Sequence, residues 1–385
     1  METIYLDHNA TTPIRPEVIE AMQREWAHVH ANPASQHRPG QQARWALEHA
    51  RARIAELLGA QPHGADPDRV VFTSGGTEAN NLALLGIARA ANRDGSPQII
   101  ISPIEHASVV GAAECLLDDG WRVDSLPVTP QGVVNAAKLD GLLSPNTRLV
   151  STMLANHETG VMQPIAQMAQ TCHAAGVLLH TDAVQAAGKI PVDFGQLGVD
   201  AMTVSAHKFH GPVGIGALVL GPDVTVEPQI LGGHQQEGLR GGTESIALAV
   251  GMLTALELAC AECDEATRRM TALRDRFEQA LKAAISNIVV HGQSSTRLPQ
   301  TSNIAFPAVD GQVLFTALDT VGVACSIGSA CDSSAADVSP TLRAMEVPRE
   351  LLGSSLRFSF AVTTTEAEID EAASRIIAAV RRLRD

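Results

Sequence analysis

The chain has 385 residues, 45% of them apolar, which is enough to bury a substantial core and favours two or three domains over one. Its 28 basic and 42 acidic residues leave a net charge of -14, which argues against a direct electrostatic footprint for nucleic acid or for an anionic membrane. No apolar run approaches the roughly eighteen residues of a membrane span, METIYLDHN lacks the features of a signal peptide, and six cysteines with one lone C-x-x-C read as thiols, so a cytoplasmic protein is expected.

Between about 70 and 221, short β-rich runs alternate with helix-like stretches: RVVFTS at 69, QIIIS at 98, RVDSLPV at 122, RLVSTMLAN at 148, VLLHTD at 177, AMTVSA at 201 and IGALVLG at 215. The alternation predicts an α/β fold with a mostly parallel seven-stranded sheet covered by helices. The strands are nearly continuous in apolar character, as burial of both faces requires, and function is expected at their carboxyl ends. After about 257 come a charged helical segment, a strand-like SNIAFP at 302, a helix near 311 to 321 and SLRFSFA at 355, which predict a smaller α+β domain. The segment 325–340, rich in Ser, Ala, Gly and Asp, reads as a mobile loop.

Three strand ends carry candidate chemistry. In VVFTSGGTEANN at 70, a strand runs through Ser-Gly-Gly-Thr into a helical pattern, offering backbone N–H groups and the Thr77 hydroxyl to a phosphate; an ordinary glycine turn is the alternative. In HTDAVQAAGK at 180, Asp182 stands where a carboxylate could hold a pyridinium nitrogen protonated and Gln185 where an amide could donate to a phenolic oxygen, although an Asp after a strand is often a helix cap. In SAHKFHGP at 205, Lys208 follows a strand, where apolar crowding would disfavour its ammonium form as a Schiff-base nucleophile requires, and Ser205 and His207 could add phosphate donors; a solvent-facing lysine in a turn is the alternative. Together these place a phosphate cradle, a pyridinium partner and an imine lysine on one sheet edge, the arrangement a pyridoxal 5'-phosphate (PLP) site needs. His106, in PIEHAS, could stack on the ring, a capping or core histidine being the alternative.

With these motifs the chain resembles the cysteine desulfurases of the NifS/IscS type, within the fold type I PLP-dependent transferases. The matching stretches are YLDHNATTP at 5, NPASQH at 32, FTSGGTEANN at 72, NHETGVMQPI at 156, HTDAVQAAGKIPVD at 180, SAHKFHGPVGIGAL at 205, LRGGTES at 239, GSAC at 328 and LRFSFA at 356. The resemblance implies that Lys208 carries PLP, that His106 stacks on it, and that Asp182 and Gln185 contact its nitrogen and phenolic oxygen. It further implies that Gly76, Thr77, Ser205 and His207 hold the phosphate, with Thr243 reaching in from the second subunit of a homodimer, and that Arg357 grips the substrate carboxylate, a structural ion pair being the alternative. Residues 15–257 would then form the large PLP-binding domain, and 1–14 with 258–385 the small domain carrying the cysteine loop.

The reaction turns on Cys331, which falls where the family carries its nucleophile. The expected chemistry takes L-cysteine to L-alanine, leaving a persulfide on Cys331 for a sulfur-acceptor protein, such as an iron–sulfur scaffold or a thiolation relay. His106 could help deprotonate a thiol. Cys325 is expected to pack, and Cys260 and Cys263, read as one turn apart in a helical stretch, are expected to be ordinary thiols; no metal site is expected. His157 replaces a usual asparagine near the substrate, Ile327 and Gly241 replace serines, and Gly238 replaces an arginine. A selenocysteine lyase or another class V aminotransferase, and a non-catalytic PLP-binding regulator, remain as alternative readings.

Overall fold

The computed structural model describes residues 3–28, 31–91, 96–328 and 339–385. Twelve strands are formed among them: β1 (Ile4–Tyr5), β2 (Arg69–Thr73), β3 (Gln98–Ile101), β4 (Arg122–Ser125), β5 (Thr147–Ser151), β6 (Leu178–Asp182), β7 (Ala201–Ser205), β8 (Gly216–Leu220), β9 (Val289–Val290), β10 (Thr301–Ala305), β11 (Val323–Ala324) and β12 (Ser355–Ser359). The seven from β2 to β8 make one sheet in the order β2-β8-β7-β6-β5-β3-β4. Only β8 runs antiparallel to its neighbours, and because it reverses between β2 and β7 those two are parallel to each other. The carboxyl ends of β2, β3, β5, β6 and β7 therefore share one edge.

Strand alternation distributes the apolar side chains to two covered faces. Ile100, Val150, Leu179, Met202, Val204, Ala217 and Val219 enter one cluster, while Ile99, Ile101, Leu149, Ala201, Leu218 and Leu220 enter the cluster on the opposite face. The helix Ile246–Ala261 is apolar on nearly every side and packs against the helices Pro16–His28 and Arg38–Leu57. Two expectations of continuous apolar character fail for a physical reason. β4 is an edge strand and exposes Arg122 and Ser125, while inside the sheet His180 is kept by hydrogen bonds at both ring nitrogens, one donating and one accepting, with Ser151 Oγ at 2.9 Å and Thr203 Oγ1 at 3.0 Å.

The remaining chain has its own core. β9, β10 and β12 form an antiparallel sheet covered by the helices Cys263–Ala284, Gly311–Thr320 and Glu366–Arg384, around Phe277, Phe306, Phe358 and Phe360. Asp310 caps the second of these helices and a Thr365–Glu368 capping box starts the third. The N-terminal strand β1 pairs in parallel with β11, and Leu6 joins this same cluster. Cys260 and Cys263 do not share a helix, because the chain bends by 72° between Ala261 and Cys263. No single described helix is long and apolar enough to cross a membrane.

Candidate active site

One cavity of about 160 Å³ opens at the carboxyl edge of the large sheet, lined by Gly76 and Thr77 after β2, His106 after β3, His157 after β5, Asp182 and Gln185 at and after β6, and Ser205, His207 and Lys208 at and after β7. Nine of the expected residues thus converge, although they are drawn from five strand ends. Arg357 and Thr243 lie outside the lining, and Cys331 lies outside the described residues.

The β2 end is shaped for close approach. Gly75 has a φ of +155°, and a Cβ on Gly76 would stand 2.9 Å from Val184 Cγ2, so a side chain there would intrude on the cradle. A helical run begins at Gly76 and continues to Ala90, turning its first backbone N–H groups toward the sheet edge. Across from it Ser205 Oγ is buried with no hydrogen-bond partner, an orphaned donor that a phosphate oxygen would satisfy.

Asp182 caps a turn rather than a regular helix, and only with one of its two oxygens. Its Oδ2 accepts from Asn80 Nδ2 at 2.7 Å and its Oδ1 from Val184 N at 2.9 Å, which aims the carboxyl group into the cavity. Asn80 also donates to Ser108 Oγ at 2.9 Å, tying the carboxylate to the helix that follows His106. His106 takes the capping role: its Nδ1 accepts the Ser108 backbone N–H at 3.1 Å as the N-cap of the helix Ala107–Asp118, while its ring lines the cavity. In the neutral ring that leaves the proton on Nε2. The His157 ring meets it edge-on, with centroids 5.6 Å apart, and burial together with the charges of nearby basic groups holds His157 unprotonated.

Lys208 follows β7 in a single turn of 3-10 helix, and its Nζ donates to the carbonyls of Asn9 at 2.6 Å and Ala10 at 2.7 Å. Carbonyl oxygens, rather than the apolar neighbours expected from the sequence, thus receive the amine. Its neighbour His207 contacts Thr11 Oγ1 through Nδ1, and burial pulls its pKa down to about 4. Both residues lean on the N-terminal segment that the sequence reading used only as a matching motif. Asn9 is the missed residue of most consequence: its Nδ2 donates to His157 O and Thr301 Oγ1, and its backbone N–H to Ser359 Oγ. Its place in YLDHNATTP was the available signal.

Arg357 on β12 is almost wholly buried. It pairs with Asp7 at 2.6 Å, donates to Ser326 Oγ at 3.1 Å and to His157 O at 3.2 Å, and leaves Nε without a partner. The ion pair anticipated as the structural alternative is therefore formed, one residue behind the cavity wall. The cysteine segment starts and ends beside the same wall. A Cβ on Gly328 would stand 3.8 Å from Glu158 Oε2, to which Ser339 Oγ donates at 2.6 Å. Cys325 is buried in the smaller core, where desolvation pushes its thiol up to about 12, the state of a packing residue. Among the described residues no group of three or more His, Cys, Asp or Glu could hold a metal ion.

Residues 4–372 match the family described as aminotransferase class-V. Over 383 residues the chain is 40% identical to a protein named cysteine desulfurase IscS from Dictyoglomus turgidum, covering 99% of this chain and 96% of that one. Among solved structures, a NifS-like protein superposes with a TM-score of 0.90 at 33% identity over 98% of both chains. A structure of SspA in complex with cysteine superposes with a TM-score of 0.81 at 29% identity, covering 94% of this chain and all of that one.

Proposed function

The chain belongs to the class-V aminotransferase family and is a cysteine desulfurase; from that premise we propose that it uses PLP to convert L-cysteine to L-alanine and holds the sulfur as a persulfide on Cys331. The observation that carries the cofactor assignment is the convergence of Lys208, Asp182 and the orphaned Ser205 hydroxyl on one cavity.

In this reading Lys208 is the amine that carries the cofactor and later moves the Cα proton, and Asp182, oriented by Asn80, holds the ring nitrogen protonated. Gln185 contacts the phenolic oxygen, His106 stacks on the ring, and Gly76, Thr77, Ser205 and His207 take the phosphate. When bound, PLP supplies the electron sink for the bonds at Cα and Cβ. Arg357 is the residue assigned to the substrate carboxylate; its Nε is unpartnered but lies behind the cavity wall beside His157, and its Nη2 would have to exchange bonds with Asp7 and Ser326 to offer a fork. Cys331 as thiolate forms an S–S bond to the substrate sulfur as the C–S bond breaks. The bonding pair stays with the carbon skeleton, which is protonated and leaves as L-alanine.

We further propose a homodimer in which Thr243 completes the partner's phosphate site. Thr243 is exposed and off the cavity of its own chain, and the large apolar side chains of Val213 and Leu231 are 74% and 81% exposed. The two separate cores support a large domain of 15–257 and a small one of 1–14 with 258–385. The persulfide would pass to an acceptor protein of iron–sulfur assembly or thiolation, in the cytoplasm, where thiols persist. Purified holoenzyme supplied with L-cysteine and a reductant should release sulfide and alanine in equal amounts. Cys331→Ala should abolish the sulfide and keep the cofactor chromophore; equal sulfide from that variant would end the proposal.

A further inference from the structure

Lys189 is a buried amine that the reaction above does not use. It stands four residues beyond Gln185, and among the described residues its Nζ has one hydrogen-bond partner, Gln185 Oε1 at 3.0 Å. The groups whose charges act on it, Lys208 and Arg357, are bases, and it acts in turn on His8, His207 and His210. Burial first, then those two cations, hold its pKa well below the ordinary lysine range. An amine in such a place costs more to bury than an apolar residue of similar volume, so packing alone does not account for it.

The other end of the Gln185 amide does. Its Nε2 donates at 3.0 Å to Asn9 O, the carbonyl that also receives Lys208 Nζ. The Asn9 carbonyl only accepts, so it demands Nε2 on its side, and the Lys189 amine, a donor in either protonation state, meets the oxygen that this orientation leaves. Turned over, the amide would set oxygen against oxygen at Asn9. We propose that Lys189 is a positioning residue for the cofactor site: gripping Oε1 from behind, it locks Gln185 with Nε2 toward the cavity, where the second N–H meets the cofactor's phenolic oxygen. The inference rests on the PLP reading above.

The test follows the pH at which the holoenzyme chromophore changes, a readout separate from turnover. Loss of an aligned donor to the phenolate raises that midpoint, so Lys189→Met should shift it upward by roughly one pH unit. Gln185→Met should do the same, and the double variant should move it no further than Gln185→Met alone. An unchanged midpoint in Lys189→Met, or additive shifts in the double variant, would overturn the inference. Lys189→Leu stands in if the Met variant does not accumulate, and failure of both to fold while Gln185→Met folds would make Lys189 a structural residue and overturn it as well. A chromophore absent from the wild type, or retained in Lys208→Ala, would instead strike the cofactor reading itself.

Discussion

The half of this cavity proposed to take the cofactor and the half proposed to take the substrate are built in different ways. The first is assembled from successive strand ends of one sheet, with Asp182, Ser205 and Lys208 placed by β6 and β7 and the turns that leave them. The second is assembled by contacts across the whole chain: Asp7 to Arg357, Asn9 to Ser359, and Arg357 to the His157 carbonyl. A sheet edge is a rigid register that fixes several groups at once, whereas the second half depends on two cores being seated against each other. Substitutions in the first should alter chemistry with the fold intact, and substitutions in the second should disturb binding and stability together.

The sharpest way to break that contrast is Asp182→Asn, which keeps the shape of the side chain and removes its charge. It should lower kcat by about two orders of magnitude or more with little change in Tm; a large loss of Tm would move Asp182 into the structural class. Next comes Arg357→Lys, which keeps a charge but gives up the forked geometry beside Asp7 and Ser326. KM for L-cysteine should rise about tenfold and Tm should fall as well, because buried partners lose donors. A change in KM alone would separate the two roles of this residue.

Stability against pH tests the cofactor half from beneath. Glu105 accepts from Ser102 Oγ and from Met153 N, but its burial pushes the carboxyl pKa up to about 8 from 4.5. A folded-state value above the unfolded one means that the folded protein binds the extra proton, so this contribution is full below about pH 4.5 and is lost as pH rises through about 8. Glu105→Gln, which retains the accepting oxygen, should gain stability relative to wild type in alkaline urea titrations, by as much as a few kcal/mol, and show no gain in acid. Equal stability of the two proteins above pH 8 would show that Glu105 ionises freely. In the opposite direction His8, His207 and His291 fall to about 4 from 6.5, so their contribution is present above 6.5 and disappears as pH drops toward 4. The smallest effect belongs to His157→Asn. Since His157 is neutral throughout the neutral range, the substitution should change kcat/KM only a few-fold and leave the shape of its pH profile unaltered there; loss of an acidic limb would show that His157 titrates in the working enzyme.

This contrast also explains what could be read before the structure. The seven strands, their exposed carboxyl edge and the residues upon it follow from short-range patterns, because a strand, its turn and the group just past it lie within a dozen residues of each other. Gln185 and Lys208 could be placed that way. The partners that orient them could not. Asn9 meets Thr301 and Ser359 only after the chain has crossed both cores, and the Asn80 hold on Asp182 requires helix and strand to be adjacent in space. Periodicity carries no signal for either. The break between Cys260 and Cys263 was missed for a local reason: an apolar helix and an amphipathic one run together with neither Gly nor Pro at the bend, where Glu262 ends one helix and begins the next.

Asn9 has a consequence for the order in which the enzyme is made. Its carbonyl receives the Lys208 amine, yet it is held in place by Thr301 and Ser359, which leave the ribosome after Lys208 does. The large sheet has all of its strands once residue 220 has emerged, but the carbonyl that seats its lysine waits for the last strand of the small sheet. Maturation of the site is thereby tied to completion of the chain, and a truncated product carrying every strand of the large sheet would still lack a seated amine.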